Sequence, residues 1–322
     1  MMRRTGVLAV VTLTLACAGD SGEPAEQQAS HLNPLVDLHE AGLPIFGLYA
    51  PSAGGGRGRG DAPPPPVKSP AERAQETLSY QLSDYVFDGS MERGVDEALP
   101  TFREFAHAMR EAGANATTHP FVVKAAKIES AEQTDRDVGR QLDAGVSGIM
   151  FVGVESAVEV RTGLSAMRYA SHGGTRPDGA GSAPEYWSIS EAEYRERADL
   201  WPLNPEGELI SWVIVESREG LANVREIAAV PGIGVLWPGA GTLRGLFSTT
   251  DADGNRVLDE EGWEGAIQQV LAACKEFDVA CGYPANADDI EMRMEQGFSV
   301  FVMGWGDRGF QTVEMAVSYT HL

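Results

Sequence analysis

The run Leu209-Ile210-Ser211-Trp212-Val213-Ile214-Val215 ends in Glu216 and leads into Leu221-Ala222-Asn223-Val224-Arg225-Glu226-Ile227-Ala228-Ala229. The first segment reads as a strand apolar on both faces, the pattern of a parallel sheet covered on both sides. The second has helical spacing. Working outward, the same strand-then-helix unit recurs along the chain. Strands are expected at 44–49, 84–87, 121–125, 148–152, 235–237, 280–283 and 300–303, and helices at 99–112, 131–144, 221–229, 263–277 and 288–296. Eight strands, each followed by a helix, form the (β/α)8 pattern. A doubly wound sheet is the alternative, but the glycine fingerprint for a dinucleotide is missing. The expected fold is an α/β, (β/α)8 barrel.

Barrel chemistry sits at the carboxyl ends of the strands. The search therefore narrows to 49–52, 88–93, Lys124, Glu155, Glu216, 239–242, 283–286 and 305–307. Residues 51–70 follow the first strand and include Gly54-Gly55-Gly56 and the prolines from Pro63 to Pro66. That composition is expected to stay out of the core and to hang over the mouth as a solvated insertion, with a lid as the alternative. Arg59-Gly60-Asp61 within it is read as chance.

The chain has 322 residues, 43% of them hydrophobic, which is enough to bury a large core. With 25 Lys and Arg against 47 Asp and Glu, the net charge is −22. A nucleic-acid partner would need a basic face, and anionic lipid a basic patch, so both are excluded as docking partners. At the start, Arg3 and Arg4 precede an apolar run from Val7 to Ala16, the form of a secretory leader too short to span a bilayer. Ala16-Cys17-Ala18 fits cleavage after Ala18, whereas Thr14-Leu15-Ala16-Cys17 resembles a lipobox with Cys17 as the lipidation site. The reading adopted is a leader over 1–18, a polar tether over 19–32 and a barrel over 33–322. It places the protein outside the cytoplasm, periplasmic or as a lipoprotein touching the membrane only through its anchor.

Several features are set aside. Asp251-Ala252-Asp253-Gly254-Asn255 suggests a calcium loop, but Arg256 and Gly262 stand where that loop needs Gly and Glu, so an acidic turn is expected. Cys274 and Cys281 are read as small buried residues, with a disulfide possible after export. His172 is read as a solvated loop histidine, and Trp237, Trp305 and Tyr283 as core. The closing Ser318-Tyr319-Thr320-His321-Leu322 looks like a sequencing-adapter artefact that cuts the last helix short.

Ile214 to Asn223, continuing into Glu226-Ile227-Ala228-Ala229-Val230-Pro231-Gly232-Ile233, resembles the core of the HpcH/HpaI aldolase/citrate lyase family. Asp143 to Met150 resembles that family's fourth-strand segment, and Asn33-Pro34-Leu35 through Tyr49 its opening helix and first strand. The resemblance implies a phosphoenolpyruvate/pyruvate-type barrel, a homo-oligomer, and a carbon–carbon lyase acting on a small carboxylate or 2-oxo acid. It also implies a divalent cation, Mg or Mn, held by a Glu after the fifth strand and an Asp after the sixth. A His after the second strand and an Arg on the third would assist.

Carried over by position, Glu216 is the metal-ligating Glu. The Gly-Pro-x-Asp segment appears as Gly239-Ala240-Gly241-Thr242, so Thr242 replaces the Asp. Arg93 stands at the His, and Lys124 at the Arg. A guanidinium cannot act as a base at neutral pH, so the usual mechanism does not transfer unchanged. The resemblance makes Arg93 and Lys124 the catalytic candidates and, with Arg176 and residues 239–242, the substrate-binding ones. Asp88, Glu92 and Asp307 are the reserve carboxylates. The rival reading is a barrel that has lost catalysis and binds a carboxylate.

Overall fold

The structure, a computed structural model, describes residues 31–54 and 65–320. The expected leader, the tether up to residue 30, Cys17, the Arg59-Gly60-Asp61 tripeptide and His321 lie outside the described residues; Leu32, at the end of the expected tether, already donates its N–H to Glu208 at 3.0 Å.

Eight parallel strands close into a barrel: β1 (Ile45–Tyr49), β2 (Tyr85–Asp88), β3 (Phe121–Lys124), β4 (Gly148–Phe151), β5 (Leu209–Val215), β6 (Val235–Pro238), β7 (Ala280–Pro284) and β8 (Val300–Met303). Closure is made where Ile45 of β1 pairs with Val300 of β8, and neighbours stay in sequence order around the ring. Each expected strand is present to within a residue at either end. The barrel reading holds.

The interior is packed with rings. Tyr85, Phe87, Trp212 and Trp237 point inward from β2, β5 and β6, with Trp212 and Trp237 centroids 5.1 Å apart. Rings of that size fit because small residues face them. A Cβ on Gly47 would lie 2.0 Å from the Tyr85 ring, and one on Gly282 would lie 2.1 Å from Trp237. The Tyr85 hydroxyl, enclosed by this packing, donates to Phe301 O at 2.7 Å. The helix Pro34–Glu40 plugs the amino-terminal end, burying Leu35 and Val36 against Ile45 and Trp212. The side chain of its N-cap Asn33 donates to Glu208 O, and the buried Glu208 carboxylate accepts from Asn33 N at 2.8 Å.

Outside, the helices cover the sheet with a second apolar layer. The helix expected at 221–229 is in fact two, Arg218–Ala222 and Val224–Ala228. Between them Asn223 turns its amide to Glu155 O at 2.8 Å, a local bond that competes with helical continuation. Cys274 and Cys281 are joined as a disulfide with Cα atoms 5.7 Å apart. Both are buried, as expected, and of the two readings the disulfide is the one found: the helix Glu260–Phe277 and β7 bring the cysteines together through a tight turn. The insertion after β1 is also less free than its composition implied. Lys68 N donates to Ala53 O at 2.9 Å, Pro51 is buried, and Ser69 caps the helix Pro70–Leu78 in a capping box with Glu72. The acidic turn at Asp251 links a short hairpin, Ser248–Thr250 with Arg256–Leu258, as expected.

Candidate active site

At the carboxyl end of the strands a cavity of about 230 Å³ opens, walled by Trp237, Met150 and Ile214 below and by Glu216, Lys124 and residues 238–242 at the rim. Its volume suits a small acid. Its charged residues are opposite in sign.

Glu216 follows β5 directly and is held by the ends of the two flanking strands. Its Oε1 accepts from the N–H of Gly153, just beyond β4, at 2.9 Å. Gly153 has φ of +57°, a conformation that favours glycine. On the other side Gly239, just beyond β6, lies against the carboxylate, and a Cβ there would come 2.4 Å from Glu216 Cβ. Glycines on both sides therefore set the orientation of this carboxylate. Lys124 ends β3, and its Nζ donates to Glu92 Oε2 at 2.9 Å. Its own carbonyl accepts from the buried Gln141 side chain at 2.9 Å. Thr242 lines the same cavity, exposed at the start of the helix Ala240–Leu246.

Arg93 is placed elsewhere. It is exposed at the end of the turn Ser90–Arg93 and is not part of the cavity wall, whereas its neighbour Glu92 reaches Lys124. Arg176 is corrected outright as a substrate residue. Its side chain is 0% exposed, bonded to Asp143 at 2.9 Å and to the Tyr194 hydroxyl at 3.1 Å, and its guanidinium lies 4.2 Å over the Tyr169 ring. It ties the long connection after β4 to the end of the outer helix Ala131–Leu142, which Asp143 caps. His172 lies in that connection, 3.8 Å from Asp199. Asp307 is exposed, and Asp88 faces a different cavity.

The sequence search reached Tyr49 only as part of a strand end. In the structure its ring stands edge-on to Phe87 at 4.8 Å and lines the cavity. Burial raises the Tyr49 hydroxyl above its ordinary pKa, and nearby Lys124 partly opposes this. Glu155 pairs with Lys127 at 3.1 Å, and hydrogen bonds from Ser217 and Lys127 hold its carboxyl below the usual range.

A hard dication takes six or more oxygen ligands, and charged ones supply most of its affinity. Among the described residues Glu216 is the one carboxylate on the cavity wall, beside a neutral Thr242 hydroxyl and an ammonium. That donor set does not fit a tightly held cation. Among the described residues, the group of three possible ligands closest to such a set is His31, Asp37 and Glu40, with candidate ligand atoms within 4.8 Å of one another. It sits at the opposite, amino-terminal end.

Comparison with known proteins agrees with this architecture. The HpcH/HpaI aldolase/citrate lyase family model matches residues 76–306. A hydroxypyruvate/pyruvate aldolase of Delftia acidovorans is 32% identical over 180 residues, 53% of this chain and 57% of that protein. A 2-dehydro-3,6-dideoxy-6-sulfogluconate aldolase of Pseudomonas putida is 26% identical over 162 residues, 50% of this chain and 58% of that protein. The chain thus spans less than two thirds of the length of the curated relatives it matches. A solved HpcH/HpaI aldolase/citrate lyase family protein of Burkholderia cenocepacia superimposes with a TM-score of 0.62 at 21% identity, covering 90% of this chain and all of that one, which supports the shared fold. The family model alone covers well over half the sequence, and the chain belongs to the HpcH/HpaI aldolase/citrate lyase family.

Proposed function

We propose that this barrel is a carbon–carbon lyase of the pyruvate aldolase type, cleaving or forming a small 2-oxo or hydroxy acid through an enolate. One observation carries the reading: an oriented carboxylate, Glu216, and an ammonium, Lys124, line one small cavity at the carboxyl end of the barrel. The Lys124 ammonium, steadied by Glu92, is the group placed to hold an anionic oxygen of the substrate and to offset charge as it develops there. Trp237, Met150 and Ile214 exclude water from the cavity floor, which strengthens that interaction. The names of the aldolase relatives support the same reaction class.

The reading brings with it Mg or Mn anchored on Glu216. Because the other family carboxylate is Thr242 here, we assign no step to that ion. The reading also includes assembly as a homo-oligomer, export, and a lipid on Cys17. Among the described residues no helix is long and apolar enough to cross a membrane, so the proposed membrane contact is the anchor alone. The disulfide supports an oxidising compartment. Mass analysis of the native amino terminus tests the address: an intact Met1 refutes export, and an unmodified start at Gly19 refutes the lipid.

The test of activity is exchange of the pyruvate methyl protons with solvent deuterium, followed by NMR with and without Mg²⁺ or Mn²⁺. Exchange that is lost in Glu216→Ala supports the lyase. No exchange, together with oxalate binding that needs neither metal nor Glu216, favours the barrel that only binds a carboxylate.

A further inference from the structure

The amino-terminal end of the barrel, opposite the mouth, gathers a histidine and two carboxylates. His31, Asp37 and Glu40 each present a ligand atom, all within 4.8 Å of one another. The chain there is firmly seated. Glu208, which precedes β5 and is fully buried, accepts from Leu32 N at 3.0 Å, Asn33 N at 2.8 Å and an Arg197 terminal nitrogen at 3.1 Å. Asp37 and Glu40 are three residues apart on the helix Pro34–Glu40, so they share one face. Trp201 Nε1 donates to Glu40 Oε1 at 3.3 Å, and the Trp201 ring stacks on His39 at 5.2 Å. The His31 side chain is only 7% exposed. Its Nδ1 is buried without a hydrogen bond among the described residues, facing Glu208 Oε1 at 3.5 Å, and its Nε2 lies 3.8 Å from Glu40 Oε1.

A buried imidazole nitrogen without a hydrogen bond calls for a physical reason, and a metal ion supplies one. Histidines that ligate a metal through one ring nitrogen commonly turn the other toward a carboxylate, which fixes the tautomer. Glu208 stands where that carboxylate belongs, which leaves Nε2 for the ion. A point central to the three ligand atoms is at most roughly 2.8 Å from each, so side-chain shifts of under about 1 Å reach zinc–ligand distances. Asp37 and Glu40 bring two negative charges, which a dication matches. The imidazole then selects among dications: Mg²⁺ and Ca²⁺ take oxygen, whereas Zn²⁺ takes nitrogen and oxygen together. We propose that His31, Asp37 and Glu40 form a site for a first-row dication of the Zn²⁺ type, with water completing the shell. The ion ties residue 31 to the helix that plugs the barrel, so it clamps this end of the fold and takes no part at the mouth. The site is separate from Glu216 and does not depend on the proposed reaction.

The test uses the full chain carrying Glu216→Ala, which removes the carboxylate at the mouth, and titrates Zn²⁺ and Mg²⁺ by isothermal calorimetry. One equivalent of Zn²⁺ is expected to bind, at least about a hundredfold more tightly than Mg²⁺. Asp37→Asn and Glu40→Gln keep shape and remove charge, and each should weaken Zn²⁺ at least about tenfold. His31→Ala should abolish the preference over Mg²⁺. At a hundredfold its dissociation constant, Zn²⁺ should raise the melting temperature by roughly 5 °C, a gain that His31→Ala loses. Zn²⁺ binding no tighter than Mg²⁺ overturns the site, as does Zn²⁺ affinity preserved in both His31→Ala and Glu40→Gln. A stability loss in His31→Ala with no Zn²⁺ binding to its parent also overturns it, and would leave His31 as an ion-pair partner of Glu40 and Glu208 only.

Discussion

Replacing Gly282 by Ala couples the barrel interior to the site. The added methyl would meet three atoms of the Trp237 indole at 2.1, 2.4 and 2.5 Å. Ordinary carbon contacts lie near 3.5–4.0 Å, so the ring must retreat by about 1.5 Å. It has little room behind it, because Trp212 packs at 5.1 Å and is fully buried. Overpacking of this kind costs about 1–3 kcal/mol. For a domain of this size that lowers the melting temperature by roughly 2–10 °C. Trp237 also lines the mouth, so the displaced ring narrows the cavity that holds the acid. The assay is urea unfolding followed by tryptophan fluorescence, with oxalate or pyruvate affinity measured on the same protein. Gly265→Ala is the control. That glycine is exposed within the helix Glu260–Phe277 and has nothing within 4 Å of its would-be Cβ. It should stabilise the protein by about 0.5–1 kcal/mol. A stability within 0.5 kcal/mol of the parent and unchanged affinity for Gly282→Ala would refute the account of small residues facing large rings.

Reducing the Cys274–Cys281 bond opens a short loop with a sequence separation of 7, worth about 2.5 kcal/mol in chain entropy. Unfolding with and without reductant should show that loss, and Cys274→Ala should abolish the difference. Burial pushes the Asp84 carboxyl up to about 6, while its Oδ2 accepts from Phe46 N at 2.7 Å. The fold therefore favours its protonated form: below pH 4 the group costs nothing, and the penalty grows as pH rises to 6. Since the residue is only partly enclosed, Asp84→Asn should stabilise by about 1–3 kcal/mol at pH 7 and by almost nothing at pH 3.5, read from urea midpoints at each pH. At the mouth, Thr242→Asp should tighten Mg²⁺ or Mn²⁺ binding about tenfold or more, and Glu216→Ala should abolish it, by calorimetric titration. Equal affinity in Thr242→Asp would show that the cation does not use that position.

The eight strands were legible in the chain because each is an apolar run too short and too uniform to be an amphipathic helix, and the order of units then dictates a barrel. Glu216 was legible for a similar reason: a charged residue directly after a buried strand has to emerge at the strand's carboxyl end. Other features depended on partners distant in the chain. Nothing in the spacing of Arg176 reveals that Tyr169, Tyr194 and Asp143 converge to enclose it. Nor does the local sequence of Lys124 reveal that Glu92, 32 residues earlier, pairs with its ammonium while Arg93 is exposed. Arg73 reads as one more surface residue of a polar helix until Pro51, Phe105 and Asp88 surround it. Periodicity reports which face of an element is buried, so strands and their termini follow from sequence alone. The pairing of charges around the mouth depends on distances across the barrel, and only the closed tertiary structure sets those.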